Sequence, residues 1–171
     1  MRKQSKILQK MPIEKKKEKS MVDAVVKTPE FLPFTSVGIF RFGADITEYK
    51  NILETFMYEP PDEFGTEYYE SPDSNLLISV KKNKIISIFC YQELYFMGVN
   101  IIGLNFEIFK QLFHYPKLND IDKCYLSNES YPTYIYDFDE IGVQAWEAKG
   151  KIVTIIAGGK DNYSTEPYYD E

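Results

Sequence analysis

Residues 37–53 read VGIFRFGADITEYKNIL and residues 97–113 read MGVNIIGLNFEIFKQLF. Laid over one another sixty residues apart, Gly38, Gly43 and Lys50 meet Gly98, Gly103 and Lys110, while Asp45 falls on Asn105, Tyr49 on Phe109 and Ile52 on Leu112. Each segment offers an apolar strand bounded by two glycines, then a residue whose side chain caps a helix, Asp45 or Asn105. Glu48, three residues after Asp45, completes a capping box, whereas Ile108 holds that place in the second segment. Apolar residues recur at Ile46, Tyr49, Ile52, Leu53 and Phe56, and again at Phe106, Phe109, Leu112 and Phe113. That spacing predicts two short helices, each with one buried face.

A polar, proline-containing stretch follows each helix, EPPDEFGTE (59–67) in one case and YPKLNDIDK (115–123) in the other, and both read as loops. Paired strands come next. NLLISV (75–80) and KIISIFCYQ (84–92) flank the turn Lys81-Lys82-Asn83, and IGVQAWEA (141–148) and KIVTIIA (151–157) flank Lys149-Gly150. Leu76, Ile78 and Val80 alternate with their neighbours as a sheet covered on one face requires, as do Val143 and Ala145. Further strands are expected at residues 89–96, 123–126 and 133–138. The expected fold is α+β: a mainly antiparallel sheet with two short helices packed on it, from two tandem strand–helix–hairpin repeats at about 31–94 and 95–160.

Charge divides the chain unevenly. Residues 1–20, MRKQSKILQKMPIEKKKEKS, carry eight Lys or Arg against two Glu, and the remainder carries twelve against 24 acidic residues. The first stretch reads as a basic, disordered leader, and residues 21–171 as a single acidic domain. Such a body repels nucleic acid and attracts basic proteins. The leader lacks the apolar run of a secretory signal and no stretch has the length of a membrane span, which points to a cytoplasmic protein. Cys90 and Cys124 sit in apolar or aromatic runs without a CxxC and read as buried, reduced thiols.

Motifs for catalysis are scarce. His114, the one histidine, stands just past the second helix, where the helix dipole suits it, and without acidic residues at ligand spacing it makes no zinc site. Phosphate-binding, dinucleotide-binding and nucleophile-elbow patterns are missing, so no cofactor and no metal is expected. Carboxylate pairs that a glycosidase needs occur as Asp62 with Glu63, Glu67 with Glu70, and Asp137 with Asp139 and Glu140, so a small carboxylate-dependent hydrolase is one alternative. An aromatic scaffold subunit of a larger assembly is another. The same residues suit binding better. Acids and tyrosines interleave in 62–73, 131–140 and 161–171, where Tyr supplies contact area and carboxylates steer a basic partner. The expected partner-binding residues are Asp62, Glu63, Glu67, Tyr68, Glu70, Tyr136, Asp137 and Asp139.

An apolar strand ending in FG or IG, a short helix, acidic–aromatic loops and hairpins, with Tyr136, Phe138 or Asp139, Gly142, Val143 and Trp146 in one run, resembles small bacterial immunity proteins. These are the cognate antitoxins of contact-dependent growth inhibition and related polymorphic toxin systems. The resemblance covers residues 31–157 and implies a cytoplasmic, non-enzymatic inhibitor that binds a toxin domain and occludes its active site. Many such toxins are nucleases, whose phosphate-binding surfaces are basic.

Overall fold

The structure, a computed structural model, describes residues 28–162. It is an α+β fold dominated by one antiparallel sheet. The chain opens with three two-residue strands, β1 (Phe31–Leu32), β2 (Ser36–Val37) and β3 (Phe40–Arg41), then a 3-10 turn (Ile46–Tyr49) that runs into α1 (Lys50–Leu53). Four strands follow: β4 (Met57–Glu59), β5 (Thr66–Glu70), β6 (Leu76–Lys81) and β7 (Lys84–Cys90). A small ribbon, β8 (Tyr95–Phe96) and β9 (Val99–Asn100), leads to α2 (Phe106–Leu112). Four more strands complete the order: β10 (Asp120–Cys124), β11 (Thr133–Phe138), β12 (Val143–Ala148) and β13 (Lys151–Gly158).

The last four strands of each half form a meander, and the two meanders join edge to edge in the spatial order β10-β11-β12-β13-β7-β6-β5-β4. Their registers correspond strand for strand. Between Ser79↔Ser87 and Val80↔Ile85 the β6–β7 ladder skips Ile86, and between Trp146↔Thr154 and Glu147↔Ile152 the β12–β13 ladder skips Val153. Each bulge in the second meander lies sixty-seven residues after its counterpart in the first. At the junction, Cys90 pairs with Ile155, Phe89 with Ile156 and Ile88 with Ala157, so Phe89 and Ile156 face one another at its centre.

The segments after the paired glycines are held alike. Gly43 donates to Ile85 O (2.8 Å) and Gly103 to Ile152 O (2.7 Å); Ile46 donates to Asn83 O and Phe106 to Gly150 O. Asp45 accepts from Thr47 N, and Asn105 from Glu107 N and Ile108 N, so both caps expected from the sequence form. The hairpin turns are the residue pairs Lys82-Asn83 and Lys149-Gly150, with positive φ at all four positions, as the right-handed twist of the flanking strands requires.

One face of the sheet is dry. Leu76, Ile78, Val80, Ile85, Ile88, Cys90, Val143, Ala145, Ile152, Ile155 and Ala157 pack there against Phe31, Val37, Phe40, Ile46, Tyr49, Leu94, Ile101, Phe109 and Phe113. Aromatic rings fill the space under α2: Phe109 lies 5.0 Å from Phe113 and 5.9 Å from Phe138, and Phe96 stacks on Phe113 at 4.3 Å.

Several expectations are corrected. Each helix precedes four strands rather than a hairpin: Thr66–Glu70, whose first two residues fall in the expected loop, pairs with β6, and Met57–Glu59 and Asp120–Cys124, expected as loop or outside the strands, pair as edge strands. Their side chains are almost all exposed, so hydropathy gives no strand signal and the ladder alone makes them strands. The segment 89–96 is broken after Cys90, where Asn75 Oδ1 accepts from Gln92 N and Glu93 N and turns the chain away. The strand expected over 38–43 is a hairpin arm at Phe40–Arg41, and the first helix is a 3-10 turn with one α turn. Cys90 is buried and its thiol is pushed up by desolvation, but Cys124 lies half-exposed on the edge strand β10. The basic leader and most of 161–171 lie outside the described residues.

Candidate functional site

The eight partner-binding candidates fall into two groups at opposite ends of the sheet. Asp62, Glu63, Glu67, Tyr68 and Glu70 belong to β5 and the loop before it, whereas Tyr136, Asp137 and Asp139 belong to β11 and the 3-10 turn after it. Five strand spacings separate β5 from β11 in the sheet order, roughly 24 Å. A partner engaging both groups must therefore span the sheet between them.

Strand alternation sorts the candidates further. Tyr69 and Tyr136 pack against the core, and Tyr136 lies 4.3 Å from the ring of Phe106. Glu67 shares the face of Tyr69 and accepts from the hydroxyl of Tyr58 at 3.2 Å. Tyr68, Glu70 and Asp137 point the other way. On that side the register runs across the sheet as Met57, Glu70, Leu77, Phe89, Ile156, Gln144, Asp137 and Asp120. A parallel row carries Glu59, Tyr68, Ser79 and Ser87, and another carries Asp122, Ile135, Trp146 and Thr154. The central row is apolar from Leu77 to Ile156, and acids stand toward both edges.

This second face is open. Leu77, Phe89, Ile135, Trp146 and Ile156 are half-buried, and none belongs to the core cluster or packs against it. Tyr91, 40% exposed, stacks on Phe89 at 6.4 Å and extends the aromatic strip past the end of β7. Sheet faces turned to water usually carry polar residues, and the row of large apolar side chains at the centre of this one departs from that pattern.

Polar side chains hold the strip in place. Asp137 Oδ1 accepts from Gln144 Nε2 at 2.8 Å, and Gln144 Oε1 accepts from Trp146 Nε1 at 2.8 Å, which fixes the indole at the second end. At the first end Asp62 Oδ2 accepts from the hydroxyl of Tyr68 at 3.0 Å, while its Oδ1 accepts from the backbone N–H groups of Phe64 and Thr66. The Thr66 N–H does most to hold the Asp62 carboxyl below the usual carboxylate range, helped by Tyr68 and Phe64. Burial, then the Asp62 bond, lifts the Tyr68 hydroxyl. Burial and the neighbouring Asp137 lift the carboxyl of Asp139. Because the folded pKa of Asp62 is depressed, its contribution is complete above the unfolded value and disappears as pH falls through the folded one. The Phe64 and Thr66 amides are expected to lose protection from hydrogen exchange as pH falls from about 4 through the depressed folded value, and Asp62→Asn is expected to flatten that pH dependence.

Among the described residues, no cluster of three or more His, Cys, Asp or Glu is arranged to hold a metal ion. A shallow cleft of about 430 Å³ is lined by Phe34, Thr35, Arg41, Phe42, Asp45, Glu48 and Lys84. Its carboxylates are engaged in structure: Asp45 caps the 3-10 turn and Glu48 pairs with Arg41 at 2.7 Å. None of the carboxylate pairs singled out from the sequence lines it.

No protein-family model matches the chain. No curated protein matches it either. Among solved structures, a cysteine-rich secretory protein from Staphylococcus aureus subsp. aureus Mu50 is similar at 16% identity and a TM-score of 0.45, over 76% of this chain and 48% of that one. The chain thus spans about half the length of that protein. Among the described residues, no helix is long and apolar enough to cross a membrane.

Phe89, Ile156, Leu77 and Gln144 are not among the residues expected from the acid–tyrosine runs, because they lie in the hairpin strands between them. A signal was present. Ile88-Phe89-Cys90-Tyr91 and Ile155-Ile156-Ala157 are unbroken apolar runs in strands that cover a single core face, so alternate members must point outward.

Proposed function

We propose that this protein is a non-enzymatic binding protein that takes a basic partner domain across the open face of its sheet. The observation that carries the reading is the row Glu70, Leu77, Phe89, Ile156, Gln144 and Asp137, with apolar anchors at its centre and an acid at each end. Central aromatic anchors supply affinity, and a charged rim supplies on-rate and choice of partner. Together with the resemblance to immunity proteins, this supports a cytoplasmic inhibitor of a nuclease-like toxin domain. The acidic body matches the basic surface such a domain uses for phosphates.

We also propose that the two halves are copies of one unit. Corresponding bulges, corresponding glycine and cap hydrogen bonds, and a junction centred on Phe89 and Ile156 all support it. Duplication of one acidic-ended meander explains why both ends of the face carry the same sign, Glu70 at one and Asp137 at the other.

The test is capture of a partner from the products of neighbouring genes, at low and high salt. A basic domain bound at low salt and released as salt rises is the expected result. Glu70→Lys with Asp137→Lys is expected to slow association about ten-fold at low ionic strength and much less near 0.5 M salt. Glu67→Lys, on the covered face, is expected to leave the rate close to that of the natural protein. Equal on-rates for all three proteins would place the interface elsewhere.

A further inference from the structure

The eight-stranded sheet has two edges, β10 and β4, and the outward backbone groups of an edge strand are a template for another strand. Alternation along the antiparallel ladders fixes which groups point outward. Gly158 N donates to Gly142 O, so Gln144 and Trp146 face β13, whereas Val143, Ala145 and Glu147 face β11. Carried across the registers, Asp137, Ile135 and Thr133 face β10, and Asp120, Asp122 and Cys124 face them in return. The outward N–H groups of β10 are therefore those of Ile121 and Lys123. Side chains engage both: Ile121 N donates to Asp120 Oδ1 at 2.9 Å, and Lys123 N donates to Asp122 Oδ1 at 2.7 Å.

The β4 edge is closed by other means. Ser71 N donates to Leu76 O, so Tyr68 and Glu70 face β4, Met57 and Glu59 face β5, and the outward positions are Phe56, Tyr58 and Pro60. Phe56 N donates to Leu53 O at 3.0 Å, and Pro60 has no N–H. That leaves Tyr58 as the one outward donor of β4.

We infer that Asp120 and Asp122 bar β10 from pairing with another strand, and that without them this edge takes the β10 of a second copy of the chain. Each carboxylate occupies the N–H that a neighbouring strand's carbonyl would need. With five residues, β10 is long enough to pair, whereas β4 has three and runs into Pro60-Pro61. A second copy is the occupant because antiparallel, two-fold symmetric pairing sets Ile121 of each chain opposite Lys123 of the other, so the outward donors and acceptors match one another. The inference stands apart from the open face being a docking surface. Its consequence is that the sheet ends within the monomer.

Sedimentation over a range of concentrations tests this on the natural full chain, on Asp120→Ala with Asp122→Ala, and on Asp120→Asn with Asp122→Asn. Alanine removes the acceptor; asparagine removes the charge but keeps Oδ1. The alanine protein is expected to dimerise at a concentration about ten-fold lower than the natural protein, because its two freed donors bond to a partner, and the asparagine protein is expected to behave as the natural one. Adding Ile121→Pro to the alanine protein is expected to restore the monomer, since the N–H it removes faces away from β11 and an edge strand tolerates proline there. A second readout needs no variant: in the natural protein the Ile121 and Lys123 amides are expected to exchange hydrogen about ten-fold more slowly than the Tyr58 amide. Association of the alanine protein no greater than that of the natural one overturns the inference. Equal association of the alanine and asparagine proteins overturns it too, since charge alone then guards the edge. So does association that survives Ile121→Pro, or exchange at Ile121 and Lys123 as fast as at Tyr58.

Discussion

Truncation of Phe109 to alanine is expected to lower the free energy of unfolding by about 3–5 kcal/mol, while the same change at Phe89 is expected to cost about 1 kcal/mol. Both are phenylalanines in regular elements, and the difference lies in which side of the sheet they occupy. Phe109 is fully buried on α2 and touches the rings of Phe106, Phe113 and Phe138 within 6.3 Å. Its removal leaves a cavity among aromatic side chains held by α2, its C-cap and β11, which cannot close together around it. Phe89 is half-exposed on the open face, beside Tyr91 and Ile156, and water already reaches part of its ring. Against a total stability of about 5–15 kcal/mol for a domain of this kind, the first change threatens folding and the second does not. Urea unfolding of the two variants measures the difference. Equal losses would mean that the face carrying Phe89 is covered within the monomer. Partner binding is expected to invert the order, with Phe89→Ala the more damaging change.

Gly142→Ala is expected to cost about 3 kcal/mol, or a fall in Tm of about 6–12 °C, whereas Gly103→Ala is expected to cost about 1 kcal/mol. Both glycines have positive φ, 65° and 83°, so an alanine at either is strained by its backbone alone. The surroundings separate them. A Cβ on Gly142 meets the Phe34 ring at 2.8 Å and the carbonyl oxygen of Gly158 at 2.9 Å, whereas one on Gly103 meets nothing within 4 Å. Gly158 belongs to β13 and its own N–H donates to Gly142 O at 3.0 Å, so its carbonyl moves only if the ladder moves. Gly142 also ends the 3-10 turn Asp139–Ile141 and opens β12, two residues before Gln144. Displacement there disturbs the Asp137–Gln144–Trp146 chain, and weaker partner binding is expected beyond the loss of stability. Thermal unfolding of the two alanine variants checks the first part. A Gly142→Ala protein as stable as Gly103→Ala would show that the backbone at Gly158 gives way.

Legibility in the sequence followed the range of the interactions. Helix caps at Asp45 and Asn105, the turns at Lys82-Asn83 and Lys149-Gly150, and the covered sides of β6 and β12 were readable because each is decided within a few residues. Met57–Glu59 and Asp120–Cys124 were missed as strands because edge strands carry no burial pattern of their own. Among the candidate residues, the acid and tyrosine content of β5 and β11 was visible. The division of Glu67 and Tyr136 from Tyr68, Glu70 and Asp137 was not, because it depends on which parity of each strand faces the helices.

By itself, then, the sequence determined the α+β class, the two short capped helices, the hairpins and the acidic charge of the body, all consequences of local backbone preference and composition. Tertiary structure alone decided that β7 pairs with β13, that the two acid–tyrosine groups stand at opposite ends of one sheet, and that Phe89, Ile156 and Trp146 share its open face. The reason is physical. Pairing between strands more than sixty residues apart is selected by burial of the whole core face at once, and neither β7 nor β13 carries the other's position in its own periodicity.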